Sequence, residues 1–244
     1  NLQKIVTELM SKFKPESSYV HLGYEAVTLS SETAKLLGNK TDGRDVQMSG
    51  RKGLYINADE IIEKLEKRIY LESKERNTSL DDASLNDIAN NVANGTIRYE
   101  LIKPDLDKII TFDVNTSLKL EGDTCSYIQY SCVRAARILE KSDKKPDFNA
   151  LFDQLNTEHD LNLIKQIGMF EIFVNDAAKN YSPKVIAKYC YGLAVTFSSF
   201  YEHVKVLKAK TPELVNARLC LVLSFGLTLE KALDLLGIRV PERM

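Results

Sequence analysis

The segment Val46-Gln47-Met48-Ser49-Gly50-Arg51-Lys52-Gly53 gathers residue types that can handle a polyphosphate. Its glycines let the backbone approach a ligand. The Ser49 hydroxyl can donate a hydrogen bond, and Arg51 and Lys52 can offset charge developing on a leaving pyrophosphate. Met48, Ser49, Arg51 and Lys52 are the candidates. The same composition also suits a plain solvated turn, and the motif alone does not separate the two readings.

A second set of residues suits nucleic acid. Between residues 183 and 218 six bases (Lys184, Lys188, Lys205, Lys208, Lys210 and Arg218) face two acids, a local balance of +4. Tyr189, Tyr191, Phe197, Phe200 and Tyr201 are interleaved with them. Cations neutralise phosphates, and exposed rings stack on the unpaired bases of an RNA loop. Tyr189, Phe197 and Phe200 fall on the apolar stripe of a helix and are expected inside. Tyr201 is expected at least partly at the surface.

Tyr130 and Arg134, four residues apart, form a third set. On a helix they share one face, offering a base a stack and a phosphate a cation. A bundle tyrosine with a satisfied hydroxyl would look the same in sequence. The three histidines are scattered, with no nucleophile or carboxylate at telling spacing. The four cysteines form no Cys-x-x-Cys pair, so reduced, partly buried thiols are expected and no structural metal.

The elements that must position these residues are mainly helical. Apolar spacing predicts helices over 2–13, 59–76, 85–101, 124–141, 147–156, 160–179, 183–202 and 212–236. A short strand is expected within 19–30, and another at Leu54-Tyr55-Ile56, around the glycine-rich loop. Ser182-Pro183 and Thr211-Pro212 read as N-cap hydroxyls followed by proline at the first helical position. Gly237 stands where the last helix should stop. That helix is apolar on most sides, as the central member of a bundle is.

The 244 residues allow one or two domains, and the net charge of −1 argues against a uniformly basic surface while leaving room for a local basic face. The apolar fraction is that of an ordinary soluble protein, and charges cut the apolar stretches short of a membrane span. Asn1 enters an amphipathic stretch with no preceding cap, so a piece of a longer intracellular protein is expected.

The residues also carry a family resemblance. Gln47-Met48-Ser49-Gly50-Arg51-Lys52-Gly53 resembles the Lys-Met-Ser-Lys-Ser signature of class I synthetases, in the version found in arginyl-tRNA synthetases. Phe112-Asp113, Leu120-Glu121-Gly122-Asp123-Thr124 and Tyr127-Ile128-Gln129-Tyr130, with Arg134 and Ile138-Leu139, resemble the opening of that family's anticodon-binding domain. Phe197-Ser198-Ser199-Phe200-Tyr201-Glu202, Ala217-Arg218-Leu219 and the ending Val240-Pro241-Glu242-Arg243-Met244 are similar to its later helices and terminus.

The resemblance implies a mainly α chain with two parts. Residues 1–112 would be the α/β tail of a class I catalytic domain with the signature loop and connecting helices. Residues 113–244 would be a helical-bundle anticodon-binding domain. It implies ATP-dependent attachment of arginine to its tRNA in the cytoplasm, with Mg²⁺ accompanying ATP, and neither membrane nor DNA as partner. Met48, Ser49, Arg51 and Lys52 would steady the pyrophosphate of ATP. Tyr130, Arg134, Tyr201 and Met244 would approach the anticodon loop, and Arg218 would either join them or brace helices. Gln47 and Gly50 replace the signature's two lysines, and the companion His-Ile-Gly-His signature is absent from this sequence. The stretch by itself is therefore expected to bind tRNA without making adenylate. Two further readings stay open on the residues: a free-standing helical RNA-binding module or paralogue, and a helical protein-interaction domain.

Overall fold

The computed structural model describes residues 2–39, 41–47, 57–149 and 152–244. The first helix, α1 (Leu2–Phe13), buries none of its residues, and Leu2, Ile5, Leu9 and Phe13 form an exposed apolar stripe. A three-stranded sheet follows, built from β1 (Val27–Leu29), β2 (Val46–Gln47) and β3 (Ile110–Phe112). β1 lies at its centre, antiparallel to β2 and parallel to β3, with Thr28 opposite both Gln47 and Thr111. The short helix α2 (Ser31–Leu36) leaves β1 with Ser30 Oγ accepting from the Thr33 amide.

Helices α3 (Ala58–Arg76) and α4 (Asp82–Ile102) make an antiparallel hairpin against this sheet. Leu65 and Ile69 of α3 meet Ile88, Ala89, Val92 and Ala93 of α4, and Leu29 and Phe112 close the cluster from the sheet. The outer face of α3 carries its charges as i,i+4 pairs such as Arg68–Glu72, which add only a few tenths of a kcal/mol each (about 0.3–0.5). The α3–α4 turn ends at Asp81, whose side chain accepts from the Ser84 amide.

The C-terminal bundle begins after α5 (Val114–Ser117). It consists of α6 (Cys125–Glu140), α7 (Glu158–Gly168), α8 (Phe170–Lys179), α9 (Pro183–His203) and α10 (Pro212–Leu235). α10 is long and apolar enough to cross a membrane by composition, but Leu219, Phe225, Leu229 and Leu233 are buried in the bundle with α6, α7 and α9, while Leu227 and Leu235 stay exposed. Phe225 of α10 stacks on Phe197 of α9 at 3.8 Å between ring centres, and Tyr189, Phe200 and Leu193 fill the same core. Thr211 caps α10 by accepting from the Leu214 amide, and Gly237 ends its turn in the left-handed conformation, φ +67°. The two cores are stitched together: Tyr99 of α4 is buried in the bundle, while Met244 packs against the first cluster.

Several expectations need correction. The described residues of 147–156 form turns instead of a helix. Asp147 bonds the Asn149 backbone amide locally, and its own carbonyl is taken by the Asn216 side chain, so backbone groups are satisfied without helical bonds. The helix over 160–179 is two, broken at Met169 so that Phe170 and Phe173 reach the Tyr189 ring from α8. Ser182 does not cap α9 with its side chain. Tyr181 before it takes a left-handed φ of +50°, and the Ser182 amide bonds back to the Ala177 carbonyl. The strand expected at Leu54-Tyr55-Ile56 lies outside the described residues.

Candidate nucleic-acid interface

Helix α6 starts where the Thr124 hydroxyl accepts from the Tyr127 amide. This cap fixes which residues face which neighbour along the helix. Cys125, Ile128, Cys132 and Ala135 turn into the bundle core. Tyr130 and Arg134, one turn apart, are half-buried on another face, and Arg137 is exposed.

α6 and α9 run parallel: the Tyr127 and Tyr191 rings meet at 6.0 Å, and farther along Arg134 reaches Tyr201. The Arg134 guanidinium carbon lies 3.9 Å from the centre of the Tyr201 ring and 5.5 Å from that of Tyr130. One cation thus serves two aromatic faces, each contact contributing about 0.5–1 kcal/mol at an exposed site. Tyr201 remains 41% exposed, as a residue available to a partner should be.

On the other side of Tyr130 a groove of about 230 Å³ runs between α6 and the α3–α4 hairpin. Tyr130, Ser126 and Met244 line it together with Ile69, Arg76 and Leu118. It is smaller than a typical drug-sized pocket (about 300–1,000 Å³) and of the scale of a single planar base. The Ser126 hydroxyl in its wall is buried and has no hydrogen-bond partner among the described residues. Arg137 donates from Nη2 to the Met244 carbonyl at 3.3 Å, holding the chain's end beside the groove.

The structure therefore gathers Tyr130, Arg134, Tyr201 and Met244 on connected surfaces. Arg218 is not among them. It is only 8% exposed, and its Nε and Nη2 donate to the two oxygens of Asp160, a residue with no exposure at all. Nη1 donates to the Lys205 carbonyl. Arg218 is a brace joining α10 to α7 and to the α9–α10 loop. The basic face also divides. Lys184 pairs with Asp105. Lys188 is exposed but lies 13 residues, about 20 Å of helix, from Tyr201. Lys205, Lys208 and Lys210 are exposed in the loop directly after α9, a loop that begins three residues past Tyr201.

Met48, Ser49, Arg51 and Lys52 lie outside the described residues. β2, which leads to them, is tied to the rest through Thr111, whose hydroxyl bonds both Thr28 and Asp45. The four cysteines are free and buried. Burial pushes the Cys190 thiol up to about 12 and raises the others as well, so these thiols are inert packing groups.

Two arrangements were not legible from residue spacing, although Gln129 of the second stands within the motif Tyr127-Ile128-Gln129-Tyr130. The His159 and His203 rings stack at 4.4 Å, with Ser199 Oγ 3.3 Å from His159 Nδ1. Gln129, fully buried, donates from Nε2 to the Asn91 carbonyl at 3.1 Å and to the Arg239 carbonyl at 2.7 Å. A glutamine between Ile128 and Tyr130 reads as a surface residue until the tail's position is known.

Comparison with known proteins points the same way. Residues 128–244 match the DALR anticodon binding domain family. The arginine–tRNA ligase of Methanothrix thermoacetophila is 38% identical over 200 residues, covering 82% of this chain and 36% of that protein. That of Borrelia hermsii is 35% identical over 231 residues, 94% of this chain and 37% of the relative. Among solved structures, Thermus thermophilus arginyl-tRNA synthetase is similar with a TM-score of 0.75 and 33% identity, over 92% of this chain and 35% of that one. The chain thus spans a little over a third of the length of the relatives it matches.

Proposed function

We propose that this chain, which belongs to the arginyl-tRNA synthetase family, binds the anticodon stem-loop of an arginine tRNA. The observation that carries the reading is the placement of Arg134 against both Tyr130 and Tyr201. A base entering the groove stacks on Tyr130 with Met244 beside it. A second base stacks on Tyr201. Arg134 and the lysines of the α9–α10 loop neutralise the phosphates between them. Stacking of this kind contributes about 1–3 kcal/mol per base.

Within the whole protein we assign the division of labour to residues 1–112 for the catalytic side and 113–244 for the anticodon. The reaction joins arginine to the AMP part of ATP as adenylate, with Mg²⁺ accompanying ATP and pyrophosphate released, then transfers arginine to the tRNA 3′ end with release of AMP, in the cytoplasm. Met48, Ser49, Arg51 and Lys52 steady the pyrophosphate. Arg218 is left out of the contact set because its guanidinium is committed to Asp160.

Filter binding of purified tRNAs to the 244-residue chain tests the proposal. Arginine tRNA should bind more tightly than an unrelated tRNA, and affinity should fall steeply with added salt, because binding releases counterions from the phosphates and that release gains less in concentrated salt. Equal binding of both tRNAs would refute the assignment of the anticodon loop.

A further inference from the structure

After Gly237 the chain crosses from the bundle to the α3–α4 hairpin and ends at Met244. Three elements meet where that crossing begins. Gln129 of α6 sits with no exposure and bonds through one nitrogen to α4, at Asn91, and to the tail, at Arg239. Gly95 of α4 makes room for this joint. A Cβ there would stand 2.9 Å from Gln129 Nε2, 2.9 Å from Cys125 Sγ and 3.2 Å from Ile238 Cγ2. Ile238 on the near side and Pro241 beyond are both buried, so the tail is seated on each side of the glutamine's bond. A leucine at this position would pack as well but would fix nothing about direction, because only a donor selects one carbonyl. The Gln129 Oε1 atom has no partner among the described residues. An unsatisfied buried acceptor is a cost that stability alone gives no reason to carry.

We propose that Gln129 is a positioning residue for the RNA groove: its buried amide fixes the tail at Arg239, and so sets where Met244 meets Tyr130. It touches no ligand. The inference rests on the reading of the groove as a base-binding site, because Met244 matters only if a base lies beside it.

The test uses the full chain and a synthetic RNA hairpin carrying an arginine anticodon. Gln129→Met keeps the volume and removes the donor. It should weaken hairpin binding about three- to tenfold and speed amide hydrogen exchange across residues 239–244. In a Met244→Ala background, Gln129→Met should weaken binding no further, because the two act on one contact. Equal weakening in both backgrounds, or tail exchange like the parent's, would overturn the proposal. A Met244→Ala chain that binds like the parent, with tail exchange unchanged, would instead overturn the groove reading beneath it. Should Gln129→Met not fold, Gln129→Asn, too short to span both carbonyls, is expected to move binding and exchange in the same direction.

Discussion

Arg134 stands over the Tyr201 ring at 3.9 Å, a contact between two helices that meet only because α6 and α9 pack in parallel. It keeps a cation and an exposed ring in register before any partner arrives. It also makes Tyr201 a good probe, since the ring is exposed and its loss leaves no buried cavity.

Tyr201→Ala is expected to weaken binding of an arginine-tRNA hairpin by about 1–3 kcal/mol, the worth of one stacked base. An unrelated tRNA should be affected far less. Stability should fall by no more than about 1 kcal/mol, the worth of the lost Arg134 contact. Titration of both RNAs against parent and variant checks this, and equal affinity of the two chains would remove Tyr201 from the interface.

Exchanging Arg51 and Lys52 for alanine in the full-length enzyme should slow adenylate formation by one or more orders of magnitude, roughly the effect of removing charge-stabilising groups. Binding of tRNA should change little. ATP–pyrophosphate exchange is the measurement, and an unchanged rate would exclude Arg51 and Lys52 from that step.

Arg218→Met should cost about 3–5 kcal/mol of stability, because Asp160 is left buried with its charge unpaired. Urea unfolding reads the loss. Per folded molecule, RNA affinity should match the parent's. A specific drop in affinity without a drop in stability would restore Arg218 to the contact set.

Acid should expose the role of Asp113. Partial burial pushes its carboxyl up, but hydrogen bonds from Ser30 and from the Thr116 amide outweigh this and hold it below the ordinary value. A carboxyl lowered in the folded state contributes stability above its unfolded pKa of about 3.9 and loses it as pH falls through the folded value. Asp113→Asn keeps an oxygen for the Thr116 amide but puts an NH2 donor where the second oxygen accepts from Ser30, and should therefore cost about 1 kcal/mol near neutrality, the worth of one hydrogen bond. The parent and variant should converge as pH falls through the folded value, which lies below the unfolded one. Denaturant midpoints across that range decide it, and a gap independent of pH would contradict the carboxylate's role.

The sequence by itself determined the long helices and their inner faces. Leu193, Phe197 and Phe200 repeat at helical spacing, Thr211-Pro212 starts α10, and Gly237 stops it. These are local rules, written within one turn of chain. It also supplied the family motifs that single out Tyr130, Arg134, Tyr201 and Met244. Local rules failed where the partner is remote. β1 falls within the stretch 19–30 where a strand is expected, but its partner β3, three residues long and more than eighty positions away, carries too short a period to be read. The turns of 147–156 exist because Asn216 takes the Asp147 carbonyl. Only the tertiary structure decided which cations remain free: Arg218 and Lys184 found carboxylates on other elements, whereas Arg134 found two rings. Charge and ring counts are properties of the chain. The four-residue spacing of Tyr130 and Arg134 encodes one of those rings, but whether a cation also meets a carboxylate, a second ring or water is set by packing between helices.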